Sequence, residues 1–331
     1  MSGIHGDLFM KTFKYYRARV PLSTFSAVIE TDSSNFQDKV TRVTFDGKTH
    51  DDRLEILGLN SFDNWRVFNI KEHPGLILIR NPFTALGQRY WIRKCLEEYP
   101  RKPNKTNIDI EVMLEDWWKA CFEGDKCNKK LLKKLRWTTL GYHHNWDTKE
   151  YSEDNRGAFP SDLAQLCDVV ATYLGYTDFR AEAAIVNYYH MNSTLSAHTD
   201  HSEVNLDAPL FSFSFGQSAI FLIGGKDKTT EPSAVLLQSG DILVMSKEAR
   251  LCYHAVPKIL SAKTSTWNKD VQKIYTKTKP KFKYINEIEH IESMNRNYND
   301  ENWFLFDDYV QESRINVNIR QVLNETQSKL C

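Results

Sequence analysis

The sequence predicts an α+β fold: a double-stranded β-helix, or jelly roll, as the core, with an N-terminal extension of helices and loops. Three observations predict it. From Arg180 to Arg320 short strand signals follow one another at close spacing, as in a double-sheet jelly roll. Before Arg180 the dominant pattern is helical, with clear stop signals. No repeat at a solenoid period stands out in either part.

The elements follow in order. Phe9–Arg19 is basic and aromatic with rough helical spacing, and reads as an amphipathic helix packed on the domain, or else as a mitochondrial targeting helix. Ser33–Asn64 has no firm period and reads as loops and extended segments. Gly75–Arg80 is a short buried strand. A helix over Leu86–Tyr99 carries Trp91, Cys95 and Leu96 on one side, and Pro100 and Pro103 end it. A second helix is expected over Ile110–Phe122, with Trp117 and Trp118. Lys129–Trp137 is strongly basic and, as an amphipathic helix, would bury Leu131, Leu132 and Leu135.

Pro160–Gly175 is a helix with Leu163, Leu166, Val170 and Leu174 as its apolar stripe, Ser161 or Asp162 as cap and Gly175 as stop. Strands are then expected at Ala183–Tyr189, Leu210–Phe215, Ala219–Ile223, Ala234–Gln238, Asp241–Met245 and 314–320. Phe211, Phe213 and Phe215 alternate with serines, as on a half-buried strand. These signals divide the chain into an extension (1–75), a helical region (76–179), the core (180–325) and a tail (326–331). Within the core, 261–300 is a polar insert with Lys263, Lys269, Lys273, Lys277, Lys279, Lys281 and Lys283, read as a solvated loop or as a rim that touches phosphates.

Hydrophobic residues at 41% and aromatic residues at 12% exclude a disordered chain. Lys plus Arg and Asp plus Glu are equal at 43 each, so a polyanion would have to meet a local patch. Cys95, Cys121, Cys127, Cys167, Cys252 and Cys331 show neither Cys-x-x-Cys nor even spacing, and read as reduced thiols of an intracellular protein. No apolar run approaches the ~20 residues of a bilayer span, so no membrane contact is expected. A monomer is expected.

The chemistry-bearing residues lie after 180. His198 and Asp200 are two apart, so on an extended chain both side chains leave the same face. His254 follows in Leu-Cys-Tyr-His-Ala-Val-Pro. Two imidazoles and a carboxylate are the facial triad of non-heme Fe(II). In Arg314-Ile-Asn-Val-Asn-Ile-Arg320 the apolar Ile315, Val317 and Ile319 alternate with Arg314, Asn316, Asn318 and Arg320. Two guanidiniums and two amides on one strand face suit a small dicarboxylate; a solvated edge strand is the plain alternative. Asn187 and Tyr189 share one strand face upstream. The basic run Lys129–Arg136 beside Trp137 and Tyr142–Trp146 suits a nucleotide, with cations on phosphates and rings stacked on a base.

In this order, Asn187-x-Tyr189, His198-x-Asp200, His254 and Arg314-x-Asn316-x-x-x-Arg320 resemble the AlkB family of Fe(II)- and 2-oxoglutarate-dependent nucleic-acid dioxygenases. Leu210–Gly225, Ser239–Ser246 and His254–Pro257 resemble its homologue 1 branch, and the likeness runs from about Phe13 to Leu323. The resemblance implies a jelly roll whose extension forms substrate lids. It implies Fe(II) on His198, Asp200 and His254, with 2-oxoglutarate and O2 in the remaining positions. Arg314 would pair with the distal carboxylate of 2-oxoglutarate, assisted by Tyr189 and Asn316; Arg320 and Asn187 would contact the end nearer the metal. Trp118, Tyr142, His143, His144 and Asn145 would lie near the substrate.

The implied activity is oxidative demethylation of N1-methyladenine in tRNA or N6-methyladenine in DNA, and oxidation of tRNA 5-methylcytosine. Demethylation releases formaldehyde, succinate and CO2. The target base must be unstacked, so single-stranded, looped or bulged nucleic acid is expected, in nucleus or mitochondrion. A 2-oxoglutarate oxygenase acting on a histone or other polypeptide is the alternative. One departure bears on base preference: bacterial-type members carry an acidic residue two positions after the metal carboxylate, where this chain has Ser202, with Glu203 next.

Overall fold

The computed structural model describes residues 6–330 apart from 21–22, 46–50, 124–126, 276–277, 279 and 300; Lys277, Lys279 and Cys331 lie outside the described residues. Asp7 opens helix α1 (Leu8–Arg17) by accepting the Met10 amide at 2.7 Å, one of the four donors a helix start leaves free. Strand β1 (Val40–Val43), helix α2 (Asp52–Ile56) and strands β2 (Arg66–Ile70) and β3 (Leu76–Arg80) follow. Then come helix α3 (Ala85–Arg93), strand β4 (Lys105–Thr106), the short helices α4 (Trp117–Cys121) and α5 (Lys129–Leu132), strand β5 (Trp137–Gly141) and helix α6 (Ser161–Tyr173). Seven strands follow in a run: β6 (Ala183–His190), β7 (Leu195–His198), β8 (Leu210–Gly216), β9 (Ser218–Ile223), β10 (Ser233–Leu237), β11 (Ile242–Met245) and β12 (His254–Leu260). Helices α7 (Glu287–Asn295) and α8 (Trp303–Gln311) precede strand β13 (Ser313–Arg320).

Among the described residues these strands form two sheets. The large one runs β1-β2-β3-β11-β8-β13-β6-β5-β4 and the small one β10-β9-β12-β7, with neighbours antiparallel in both. Period-2 alternation gives the large sheet two different faces. One face carries Val186, Tyr188, Phe211, Phe213, Phe215, Ile315 and Val317 into the core beneath the helices. The other carries Tyr189, Leu210, Leu243 and Met245 against Phe221, Leu237 and Val256 of the small sheet. Helix α1 covers the outside of the small sheet, with Phe9, Phe13 and Tyr16 on Ile220, Leu222 and Ala255. The interior between the sheets is thus closed on both sides, and the polar face of β13 points into it.

Several expectations are corrected. Strand β8 is buried along its whole length, not half-buried, because its serine face looks into the interior between the sheets. Residues 33–64, read as loops and extended segments, include strand β1 and also the short helix α2. The helix expected over 110–122 shortens to α4. Thr106 and Asp109 form a capping box on a 3-10 turn, Asp116 caps α4 anew, and Ile110 and Met113 face solvent at 87% and 76% exposure. The basic run makes only one turn, α5, before β5 begins. Helix α3 ends at Arg93, and the chain continues to Glu98 as a π-helical turn.

Helix α6 starts without a side-chain cap. Asp162 turns inward instead, accepting from the Tyr90 hydroxyl at 2.7 Å and lying 3.0 Å from Lys94 Nζ. Gly175, at φ +85°, stops the helix as expected. The lysine-rich insert is no open loop throughout: it buries Trp267 and Ile274 and includes α7, which buries His290 and Met294. The sheet also crosses the segment boundaries, with β1 and β2 from 1–75, β3, β4 and β5 from 76–179, and β6, β8, β11 and β13 from 180–325.

Candidate active site

His198 ends β7 and His254 begins β12, and the two are direct partners across the antiparallel pair. This register brings the imidazoles together with ring centres 4.2 Å apart and planes tilted by 54°. Asp200, two residues beyond His198, puts Oδ2 3.7 Å from His254 Nε2, and one ligand atom from each of the three residues lies within 4.8 Å of the others. Each ring is oriented by its own backbone: His198 Nδ1 bonds the Ser196 carbonyl at 2.9 Å, and His254 Nδ1 bonds the Cys252 carbonyl at 3.1 Å. A carbonyl only accepts, so Nδ1 carries the proton and Nε2 keeps its lone pair, the tautomer a metal needs.

Burial and the neighbouring His198 pull His254 down to about 4, which keeps it neutral at physiological pH. Burial works to raise the Asp200 pKa, but Arg320, His254 and His198 together hold the carboxyl well below the usual range. Two imidazoles and one carboxylate on adjoining elements fit a non-heme Fe(II).

Strand β13 lies between β6 and β8, with Arg314 opposite Tyr189 and Asn316 opposite Asn187. Arg314 is 1% exposed; it donates to Ser214 Oγ at 2.7 Å and to the Gln217 carbonyl at 3.3 Å. Its Nε and the Tyr189 hydroxyl are buried without a partner. Burial also pulls the guanidinium down to about 10. Both residues line one pocket, which reaches Asp200 and His254. Asn316, Asn318 and Ser212 add polar atoms, while Leu210, Phe221 and Val256 supply apolar wall. Buried donors without acceptors are costly, and a carboxylate satisfies several at once. The cavity therefore fits a dicarboxylate with one end at Arg314 and the other near the metal residues.

Arg320 lies at the metal end, with NH2 2.9 Å from Asp200 Oδ2. Asn187 stands in the cross-strand row Trp137–Asn187–Asn316. Glu203 and Arg250, to which the sequence alone assigns no role, belong here too. Glu203 bonds Arg320 Nε at 3.0 Å and Arg250 NH2 at 2.8 Å. Both partners are remote in sequence, so no local pattern marks them.

The structure brings part of the aromatic segment to this site. His144 Nε2 and Ser202 Oγ are 3.0 Å apart, and the His144 ring meets Trp146 and Tyr151 edge-on. Trp146, which the density of flat side chains hinted at, is 41% exposed and packs on Trp137. Tyr142 and His143 are buried beside this rim: Tyr142 donates to Glu153, and His143 Nδ1 bonds Thr139 Oγ1 at 2.8 Å. Asn145 turns its side chain to the amides of Asp147 and Thr148. Trp118 is elsewhere. It is 7% exposed on the helix-covered side, with Phe306 stacked on it at 4.8 Å, so its ring packs the core.

A jelly roll with a His-Asp-His cluster at the mouth of an arginine-floored cavity defines an iron- and 2-oxoglutarate-dependent oxygenase. The signature of the 2OG-Fe(II) oxygenase superfamily matches residues 75–320. A mouse protein named nucleic acid dioxygenase ALKBH1 is 42% identical over 273 residues, 77% of this chain and 70% of its own length. The tRNA demethylase abh1 of Schizosaccharomyces pombe is 35% identical over 223 residues, 61% of this chain and 74% of its own. The DNA N(6)-methyladenine demethylase ALKBH1A of Arabidopsis thaliana is 32% identical over 298 residues, 80% of each chain. The chain belongs to the 2OG-Fe(II) oxygenase superfamily, in its AlkB homologue 1 branch. Fe(II), 2-oxoglutarate and O2 are its reactants and cofactor.

Proposed function

We propose that this oxygenase oxidises methylated bases in nucleic acid, with N1-methyladenine in tRNA and N6-methyladenine in DNA as demethylation substrates and tRNA 5-methylcytosine as an oxidation substrate. His198, Asp200 and His254 hold the iron; Arg314, Tyr189 and Asn316 hold the distal carboxylate of 2-oxoglutarate, and Arg320 and Asn187 serve its metal end. With these bound, O2 would be the oxidant: 2-oxoglutarate would give up two electrons and take one oxygen atom, becoming succinate and CO2, and the other atom would hydroxylate an N-methyl carbon, whose product loses formaldehyde. The chain's own part is to orient the ligands, keep His254 neutral by burial and seat the dicarboxylate.

The observation that carries the substrate reading is the rim: His144, bonded to Ser202 beside the metal loop, backed by Tyr151 and by the exposed Trp146. Flat rings at the mouth of the site suit an unstacked base, so looped, bulged or single-stranded substrate is favoured over intact duplex. In this reading Tyr142, His143 and Asn145 support the rim. The names of the relatives support nucleic acid over a histone or other polypeptide. Such substrates put the enzyme in nucleus or mitochondrion, and we propose that it works as a monomer; fractionation and light scattering check both. The decisive experiment incubates the protein with Fe(II), 2-oxoglutarate and total tRNA or single-stranded DNA, then digests to nucleosides for mass spectrometry. Loss of a methylated nucleoside with matching succinate release is expected. Succinate release with a histone and none with nucleic acid overturns the proposal.

A further inference from the structure

We infer that Glu203 and Arg250 are positioning residues that hold Arg320 to a single contact with Asp200, an inference that rests on reading Asp200 as a metal ligand. A guanidinium offers Nε and NH2 as a fork that commonly closes on both oxygens of one carboxylate. In Arg320 that fork is split: NH2 reaches Asp200 Oδ2 at 2.9 Å, and Nε reaches Glu203 Oε1 at 3.0 Å. Asp200 therefore meets Arg320 through Oδ2, the oxygen that also lies 3.7 Å from His254 Nε2, and Glu203 takes the prong that would engage Oδ1.

Arg250 holds Glu203 in this role. Its NH2 bonds Glu203 Oε2 at 2.8 Å, its NH1 donates to the Asp200 main-chain carbonyl at 2.6 Å, and its Nε donates to the Ala208 carbonyl at 3.1 Å. Arg250 stands on the turn that leads into His254, so its guanidinium ties the two ligand-bearing segments, 198–203 and 250–254, to each other. The Tyr151 hydroxyl donates to Glu203 Oε1 at 3.4 Å.

The side chains of Glu203, Arg250 and Arg320 are 1%, 2% and 4% exposed, so water cannot take over for a missing partner. With the half-buried Asp200 they make two anions facing two buried cations. Removing the Glu203 charge leaves Arg320 with Asp200 as its anionic partner; the fork then closes on Asp200 and competes with the metal. Both oxygens of Glu203 are committed, so in this chain the acidic residue after the metal carboxylate braces the ligand and does not read a base.

The test is a Co(II) titration, by calorimetry and by the visible absorption of the bound ion, on the full chain and the variants Asp200→Ala, Glu203→Gln and Arg250→Lys. No substrate turnover is involved. Glu203→Gln is expected to lower Co(II) affinity by about 10- to 100-fold, the range for partners that orient a metal ligand, and to change the absorption band. Arg250→Lys keeps the charge but loses the three-way grip, and a loss of several-fold is expected. Wild-type titrations from Glu203→Gln, with Asp200→Ala impaired, overturn the brace. If Glu203→Gln does not fold, a wild-type titration from Arg250→Lys overturns it as well. If Asp200→Ala itself binds Co(II) as the wild type does, the ligand assignment falls first and the brace falls with it.

Discussion

At Arg314, which lines the pocket, one buried N–H, Nε, has no acceptor, and the hydroxyl of Tyr189, another lining residue, is in the same state. An ammonium offers no planar fork, so Arg314→Lys should raise the 2-oxoglutarate concentration needed for half-maximal succinate release. The expected loss is about 1.5–3 kcal/mol, the range for hydrogen bonds to charged groups. An unchanged titration would turn the arginine strand away from the cosubstrate. A second residue prediction concerns His290, buried on α7 with its ring edge-on to Tyr90 at 5.1 Å. Burial pushes it from the usual 6.5 down to about 4. Between those values the unfolded chain holds the extra proton, so stability present above pH 6.5 is lost as pH falls toward 4. The slope reaches about 1.4 kcal/mol per pH unit. Urea midpoints at pH 5 and pH 7 should therefore lie closer together in His290→Gln than in the wild type. The metal triad was legible because its residue types and order are rare together. Glu203 and Arg250 were not, since ordinary charged residues acquire a role only when the fold brings their partners to them.

At the scale of elements, α5 is a single turn, and the lysines on it and just after it divide into two kinds. Lys134 pairs with Glu111 at 2.5 Å, while Lys130 and Lys133 stand exposed. Lys130→Glu with Lys133→Glu should weaken binding to tRNA and single-stranded DNA alike. The slope of log affinity against log salt should become shallower by about 0.7 for each phosphate no longer neutralised. Succinate formation without nucleic acid should persist, because the metal and dicarboxylate residues all follow 180. An unaltered salt slope would make α5 ordinary surface and direct attention to the insert lysines. Strands β8 and β13 were readable because two-residue alternation survives even when both faces are buried. The helix expected over 110–122 failed for the opposite reason. Its apolar residues Ile110, Val112 and Met113 are exposed, and Asp109 and Asp116 cap separate short turns, so local side-chain bonds outweighed the periodic pattern.

For the whole molecule, the site joins the two sheets: His198 and His254 belong to the small sheet, Tyr189 and Arg314 to the large one. A metal and a dicarboxylate bound together should lock the layers against each other. Mn(II) with 2-oxoglutarate, each at about 100 times its dissociation constant, should add on the order of 2.7 kcal/mol per independent site and raise the melting temperature by several degrees. Arg314→Lys should lose most of the 2-oxoglutarate increment and keep the Mn(II) increment. Equal shifts in the variant and the wild type would sink the two-site reading. The order of the large sheet also bears on how the protein is made. Strand β13 follows all its sheet partners in sequence and yet lies between β8 and β6. While the ribosome is still short of residue 313, those two strands lack their shared neighbour, and each leaves a ladder of backbone donors and acceptors unpaired. A nascent chain in that state invites pairing with other chains, so chaperone cover during synthesis should matter most in the interval before β13 emerges.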